Sequence, residues 1–197
     1  MGALETVNTT LQWLLLCMGK HPTVQCRLQA EIDAQIGTTR QPELSDRPCT
    51  PYVDAVIEEL FRFSSLAPLG ILHIALEDAE LCGYKILENT LLISNIYGLH
   101  HDPEVWNDPE FFRPERFLNE NGKLNKSLLA TMLPFSTGKR SCPGESLARD
   151  QVYLYTTSLF QKFSVHCSED VRMESTTAGI TRAPKPFKVT FTKRFNE

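Results

Sequence analysis

The sequence of 197 residues predicts a mainly α fold with a small antiparallel β part. Apolar residues recur three and four positions apart over several long stretches, which is typical of amphipathic helices. Between residues 72 and 94 the period shifts towards two, which favours short strands. Hydrophobic residues make up 42% of the chain and charged residues 22%, so it can bury the core of one ordinary globular domain.

Two helices are predicted at the start of the chain. The first runs to about Met18 and is stopped by Gly19. The second covers residues 21–37, because Pro22 suits a first helical turn and Gly37 suits the position just after a helix end. One apolar stripe of this second helix consists of Val24, Leu28, Ile32 and Ile36.

A third helix is predicted from Pro51, after a polar loop over residues 38–50. Its segment "PYVDAVIEELFRF" carries an apolar side made of Val53, Val56, Ile57 and Leu60. This side is expected to face the core.

The remaining two thirds of the chain alternate strands with irregular segments. Residues 73–94 read as short strands, and residues 95–117 as a short helix followed by a stretch rich in proline and aromatic residues. Residues 145–163 form the last long helix. The closing strands are predicted at 163–168 and 187–193.

Composition excludes several function classes. The net charge of −4 gives no electrostatic support for nucleic-acid binding, so no nucleic-acid partner is expected. No run of eighteen apolar residues encodes a membrane span, and no signal peptide is visible. The six cysteines form no C-x-x-C pair, so we expect reduced thiols, five of them buried as packing residues: Cys17, Cys26, Cys49, Cys82 and Cys167.

The segment "PFSTGKRSCPGE" places the remaining cysteine, Cys142, in a loop of Gly, Ser and Pro beside two cations. A thiolate is favoured by cations and by backbone N–H groups, which Gly138 and Gly144 could aim at the sulfur. The helix after Glu145 brings its positive N-terminal end near the cysteine. One thiolate without further protein ligands, and with Arg140 near it, fits a macrocycle that supplies the other metal ligands. This pattern predicts haem with an axial thiolate.

The segment resembles the haem-binding signature of the cytochrome P-450 monooxygenases. The matching residues are Phe135, Gly138, Arg140, Cys142 and Gly144. A second match is Glu59-x-x-Arg62, which shares one helix face, followed by "PERF" with Arg116. The resemblance implies that these three charged residues form a structural cluster that pins the segment behind the cysteine loop.

The resemblance also implies roles around the haem. In "GALETV", Glu5 and Thr6 occupy the positions of the distal acid–alcohol pair, where Thr6 would hydrogen-bond dioxygen or water and Glu5 would help relay protons. Leu4 and Ala3 depart from the residues common there. His73 matches a position that reaches a haem propionate. The implied substrate-pocket residues are Ala67, Gly70, Ile71, Leu72 and, at the tip of a C-terminal hairpin, Ile180.

Two further residue groups are weighed in the sequence. Lys139 and Arg149 lie on the proximal side of the cysteine and either dock an acidic electron donor or form ordinary solvated surface charge. His100 and His101 are interpreted as loop residues.

The residues of these motifs resemble those of the microsomal animal branch of the family most. It implies a haem monooxygenase that oxidises an apolar small molecule with dioxygen and takes electrons from an NADPH-dependent flavoprotein reductase. It also implies a parent protein on the cytosolic face of the endoplasmic reticulum membrane, with association only through a missing N-terminal anchor. Residues 1–197 are expected to be the C-terminal part of one domain, from the second half of the distal helix to the C-terminal hairpin.

Two alternatives stay open. The apolar helical pattern starts almost at Met1, so the chain alone is also compatible with a non-catalytic truncated fragment or partial gene product that cannot hold haem stably. A haem-independent helical interaction module is the other alternative. It predicts no haem uptake and no effect of Cys142→Ser.

Overall fold

A computed structural model describes residues 2–178 and 180–195. The helices are α1 (Gly2–Lys20), α2 (Pro22–Gln35), α3 (Pro51–Ser64), α4 (Ile96–His100), α5 (Lys126–Leu129) and α6 (Glu145–Lys162). The strands are β1 (His73–Ile74), β2 (Ala79–Leu81), β3 (Tyr84–Ile86), β4 (Leu91–Leu92), β5 (Phe163–Cys167), β6 (Ser175–Ala178), β7 (Thr181–Pro184) and β8 (Val189–Lys193). The mainly α class with a small β part is thereby confirmed.

The strands form small antiparallel pairs rather than one sheet. Within the described residues β1 pairs with β4, β2 with β3, β5 with β8 and β6 with β7. The β5–β8 pair places Val165 opposite Phe191 and packs against α1. The β6–β7 pair, with Thr177 opposite Arg182, lies against the same helix.

The helix ends follow the signals in the sequence. Pro22 and Pro51 occupy first-turn positions of α2 and α3. Because N–H groups in the first turn have no partner within the helix, proline costs no hydrogen bond there. Gly37 has a φ of +86° and its N–H bonds to the Ile32 carbonyl, which closes α2 as a left-handed cap. The first helix continues one residue beyond the predicted stop at Gly19 and ends at Lys20.

Helix α3 lies at the centre of the core. The predicted apolar side of Val53, Val56, Ile57 and Leu60 is fully buried. The other faces are buried as well, since every residue from Tyr52 to Ser64 lies in the core. Helices α1, α2 and α6 pack against α3, together with the 3₁₀ turn Pro114–Phe117. Its N-terminus is capped from another helix, because Glu31 of α2 accepts hydrogen bonds from the backbone N–H groups of Tyr52 and Val53 at 3.0 and 2.9 Å.

A smaller apolar cluster lies beside the main core. It consists of Ala55 on α3 with Trp106, Phe117 and Met132 from the segment between α4 and α6. The Trp106 and Phe117 ring centroids are 5.6 Å apart, and the Trp106 indole donates to the Leu99 carbonyl at 2.8 Å. This cluster fixes an otherwise irregular stretch against α3.

The cysteines depart from the expectation of five buried packing thiols. All six are free, but of the five only Cys17 is buried and Cys167 is half-buried. Cys26 lies on the outer side of α2, Cys49 ends the 3₁₀ turn Leu44–Cys49, and Cys82 occupies the β2–β3 turn. A small apolar residue gains little from burial where the local element faces solvent.

Among the described residues, no helix combines the length and apolarity needed to cross a bilayer.

The buried Gln25 side chain joins α1, α2 and β5. Its Nε2 donates to the carbonyls of Met18 (3.1 Å) and Val165 (2.8 Å), and its Oε1 accepts from the Val165 N–H at 2.7 Å. Gln25→Leu would leave these backbone groups buried without partners, so we expect the free energy of unfolding to fall by about 2–4 kcal/mol. Urea denaturation measures this loss. Gln35→Leu, on the exposed end of the same helix, should change it little, and equal losses in the two variants would contradict the account.

Candidate functional site

A buried ionic cluster connects α3 to the segment that follows α4. Arg62 donates through Nε and Nη2 to the two carboxylate oxygens of Glu59, at 2.8 and 2.9 Å. Arg116 donates from Nε to the same carboxylate at 3.2 Å. The Glu59 and Arg62 side chains are 0% exposed and that of Arg116 is 5% exposed. The three residues that the sequence grouped therefore lie in direct contact.

The cluster also fixes backbone that has no regular structure of its own. Glu59 accepts from the Arg113 N–H at 2.7 Å, and Arg62 donates to the carbonyls of His100 (2.8 Å) and Phe111 (3.3 Å). Arg116 donates to the carbonyl of Asn107 at 2.7 Å. Buried charges are stable only when their hydrogen bonds are satisfied, and here the loop backbone satisfies them.

The cysteine loop turns through two left-handed residues. Gly138 has a φ of +73° and Ser136 one of +63°. Space around Gly138 is open, so its backbone conformation rather than crowding favours glycine there. The Cys142 N–H then donates to the Phe135 carbonyl at 2.9 Å, which closes the loop. The Cys142 side chain is exposed and free.

Gly144 differs from the expectation of a tightly turned glycine. Its φ of −98° is open to any residue, and it serves as the residue before α6. A methyl group added there would lie 3.9 Å from the Cys142 Sγ, so the sulfur is close to the positive end of this 18-residue helix. Within the described residues the loop hydrogen bonds involve the Cys142 backbone, not its sulfur, so the idea of N–H groups donating to sulfur is not realised here.

A recess opens between α1, the end of α3 and the cysteine loop. Its cavity volume is about 40 Å³. Its walls are Thr6, Val7 and Thr10 of α1, Phe61, Ser64 and Leu66 of α3 and its C-terminal extension, Pro134 and Phe135 of the loop, and Ala148 and Val152 of α6. Two candidate site residues that are far apart in sequence, Thr6 and Phe135, thus meet at one cavity.

The α3 side of this recess was not identified from the sequence. Phe61 and Ser64 lie three positions apart, on one face of α3, and Leu66 follows the helix. The buried Ser64 Oγ has no hydrogen-bond partner among the described residues, so a polar atom faces an otherwise apolar wall. The i, i+3 spacing of Phe61 and Ser64 predicts that they share a face of α3. This spacing cannot show whether that face borders a cavity.

The distal pair is divided between the recess and the surface. Thr6 is half-buried and lines the recess, and its carbonyl accepts from the Thr10 hydroxyl at 2.9 Å. Glu5 is exposed, as is Leu4. The side chain of Ala3 lies outside the described residues.

The other candidate residues lie around the recess rather than in it. Arg140 is exposed and His73 is half-buried on β1, and within the described part of the chain neither side chain makes a hydrogen bond or ion pair. Ala67 and Gly70 are half-buried, whereas Ile71 and Leu72 are 68% and 57% exposed. Ile180 is exposed at the turn between β6 and β7.

Comparison with known proteins identifies the family. The sequence model of the family described as cytochrome P450 matches residues 1–191. This chain belongs to the cytochrome P450 family. It is 46% identical to cytochrome P450 2J3 of Rattus norvegicus over 81% of the chain, and 40% identical to cytochrome P450 2U1 of Homo sapiens over 96%. It is 41% identical to the steroid 17-alpha-hydroxylase/17,20 lyase of Ictalurus punctatus over 83%.

The chain spans about a third of the length of these relatives, with 31%, 35% and 32% of them covered. The resemblance stated from the sequence is therefore confirmed at the level of the family. Membership in the cytochrome P450 family implies a haem cofactor in general terms.

In this cytochrome P450 chain the interpretation of Arg149 as a docking or solvated residue was wrong. Its side chain is 23% exposed and paired with Glu58 and Glu145. Burial acts to lower its pKa, but the two carboxylates outweigh burial and raise the pKa of Arg149. Lys139 remains exposed, as a surface residue would be.

His100 was interpreted as a loop residue, but it ends α4 and is fully buried. The Ser65 hydroxyl donates to the Arg62 carbonyl at 2.8 Å, so we assign Nδ1–H of His100 as the donor to Ser65 at 3.0 Å. The Leu133 N–H donates to His100 Nε2 at 3.1 Å. His100 therefore connects the end of α3 to the chain just before the cysteine loop.

We predict that removing the central carboxylate unfolds the domain. Glu59→Ala leaves two buried guanidinium groups and the Arg113 N–H without their acceptor, which should lower the free energy of unfolding by about 3–5 kcal/mol. Urea denaturation should show a much earlier or absent cooperative transition. Lys85→Ala, which breaks only the surface pair with Asp78, is the control and should leave the midpoint unchanged. A Glu59→Ala midpoint as high as that of the control would contradict the role of the cluster.

We also predict a pH dependence that originates at His100. Burial, with the neighbouring His101 and Arg62 charges, lowers its pKa to about 4. Below about pH 6.5 the unfolded chain therefore binds a proton at His100 that the folded chain does not bind. The contribution of His100 to the free energy of unfolding is complete above that pH and is lost as the pH falls towards 4.

The measurement is urea denaturation between pH 4.5 and 7. His100→Gln should weaken the fall in stability by about one proton's slope, roughly 1.4 kcal/mol per pH unit. His166→Gln, on the exposed side of β5, serves as the control and should keep the parent slope. An unchanged slope in His100→Gln would show that His100 does not carry the effect.

Proposed function

We propose that this chain is the haem-holding part of a monooxygenase that inserts one atom of dioxygen into an apolar small molecule. The observation that carries the proposal is the exposed Cys142 thiol beside the α6 N-terminus. Its backbone is bonded to Phe135, which lines the recess. The match to the cytochrome P450 family supports the reaction class. Because the chain spans about a third of its relatives, the activity is proposed for the protein that contains this segment.

The chemistry of the residues present suits a haem. The recess walls are mostly apolar and include one unpartnered hydroxyl, Ser64 Oγ. Cys142 is a single exposed soft donor, which would hold the iron of a macrocycle that brings its own nitrogen ligands. Among the described residues no cluster of three or more His, Cys, Asp or Glu side chains is placed to hold a metal ion.

Each protein group has a distinct task in this proposal. Cys142 would hold the iron through its sulfur, which lies beside the positive end of α6. Arg140 and His73, which have no partner within the described residues, bind the haem propionates. A bound haem supplies the oxygen-activating chemistry, and the protein supplies orientation and electrostatics.

On the other face of the recess the protein manages protons and water. Thr6 lines the cavity, where its side chain would orient water. Glu5 is exposed at the start of α1, where it exchanges protons with solvent. Phe61, Leu66 and Val152 exclude water from the rest of the wall.

The partners follow from the same family assignment. Electrons come from an NADPH-dependent flavoprotein reductase, and the parent protein lies on the cytosolic face of the endoplasmic reticulum membrane through an N-terminal anchor. Ala67, Gly70, Ile71, Leu72 and Ile180 are proposed to contact an apolar substrate in the complete protein. Ile71, Leu72 and Ile180 are exposed in the described structure.

The test is a carbon monoxide-difference spectrum of the reduced, haem-loaded protein. We expect a red-shifted Soret band that is lost in Cys142→Ser and retained in Cys49→Ser, because thiolate ligation depends on one sulfur. Cys49 is the control because it is also exposed and free. The spectra are recorded for this chain and for a longer chain that includes the rest of the domain. Absence of the band in both would reject the proposal and favour the non-catalytic alternatives.

A further inference from the structure

Arg149 joins both flanks of the cysteine loop to α3. On the C-terminal flank its Nε donates to Glu145 at 2.8 Å. On the N-terminal flank its guanidinium lies over the Phe135 ring, with 5.0 Å between the carbon at its centre and the ring centroid. Its Nη1 donates to Glu58 of α3, which anchors the whole arrangement.

The aromatic part of this arrangement is closely packed. Phe61 of α3 meets Phe135 edge to face, with centroids 5.2 Å apart and planes at 75°. The Arg149 guanidinium also lies 5.3 Å from the Phe61 ring, so one cation covers both rings. A planar, partly desolvated guanidinium gains from such contacts, and a lysine ammonium cannot reproduce the fork and the stacking together.

Glu58 makes this contact costly to break. Its side chain is 6% exposed, and its Oε2 has no partner among the described residues. Burial raises the pKa of Glu58 in spite of the neighbouring cation. Without Arg149 the carboxylate would be buried and unpaired, so α3, the loop and α6 would have to separate or admit water.

The loop hydrogen bonds continue from this contact to the cysteine. Phe135 accepts the Cys142 N–H at 2.9 Å, and Glu145 is the first residue of α6, whose N-terminus lies beside the sulfur. The two residues held by Arg149 are therefore those that set the position of Cys142.

We propose that Arg149, anchored by Glu58, is the positioning residue of the Cys142 loop. The inference rests on the proposed function in one respect, namely that Cys142 holds the haem iron. Arg149 does not touch the reacting atoms. It holds Phe135 and Glu145 at a fixed separation, so that the thiolate keeps its place beside the α6 N-terminus.

The first test is amide hydrogen exchange of the chain without haem, resolved by residue. In Arg149→Met we expect the Cys142 amide and its loop neighbours to exchange at least tenfold faster, because the contact that closes the loop is lost. Arg149→Lys keeps the charge opposite Glu58 and should restore part of the protection. Far-UV circular dichroism confirms that each variant is folded.

Arg47→Met is the matched control. Arg47 joins the same two helices through Asp54 (2.7 Å) and Asp150 (3.5 Å) and stacks over Tyr153, but it does not contact the loop. Its loss should leave the exchange of residues 135–145 unchanged. Equal acceleration in both variants, or none in a folded Arg149→Met, would overturn the inference.

If Arg149→Met does not fold, Glu58→Gln replaces it. The amide keeps the shape of Glu58 and removes its charge, so loop exchange should accelerate about threefold to tenfold. Unchanged loop exchange in Glu58→Gln would contradict the inference.

The second readout is the fraction of red-shifted carbon monoxide complex at saturating haem. It should fall in Arg149→Met, recover in Arg149→Lys and stay at the parent level in Arg47→Met. A constant fraction in all variants would show that Arg149 and Glu58 do not position the Cys142 sulfur. If neither the parent chain nor the longer chain forms such a complex, the proposed function fails, while the exchange data still decide the structural part.

Discussion

The charge of one buried carboxylate, Glu59, constrains the rest of this structure. Arg62 of α3 and Arg116 of the turn Pro114–Phe117 both donate hydrogen bonds to this carboxylate. Removing any one of the three side chains would leave buried charge without its partner. The remaining donor capacity of these arginines is taken up by loop carbonyls, so the segment 107–113 has its position set by the cluster. An irregular stretch is thus held in place by hydrogen bonds to buried charged groups.

Helix α3 holds two different parts of the molecule through two consecutive acidic residues. Successive residues of a helix point about 100° apart, so Glu58 and Glu59 address different neighbours. Glu59 holds the 107–113 segment, whereas Glu58 holds Arg149 and, through it, the cysteine loop. The central position of α3 explains why it is buried on every face. Helix α3 thus supports both the Cys142 loop and the segment 107–113 that precedes it.

Local signals in the sequence predicted much of the fold. Proline at helix starts and glycine after a helix end act through backbone geometry alone, so Pro22, Pro51 and Gly37 could be interpreted without tertiary information. The grouping of Glu59 with Arg62 and Arg116 came from a motif. What the sequence missed depends on packing: the all-round burial of α3, the buried His100 and the exposed cysteines. Helix and strand periodicity relates only residues that are close in sequence. It could not predict the ion pair between Glu58 and Arg149, which are 91 positions apart.

The central claim, that the Cys142 sulfur binds haem iron, is tested most directly by X-ray absorption at the iron edge of the haem-loaded protein. The account predicts one sulfur scatterer in the first shell of the parent protein, and only nitrogen and oxygen scatterers after Cys142→Ser. A first shell without sulfur in the parent, or a sulfur that persists in the variant, would contradict it.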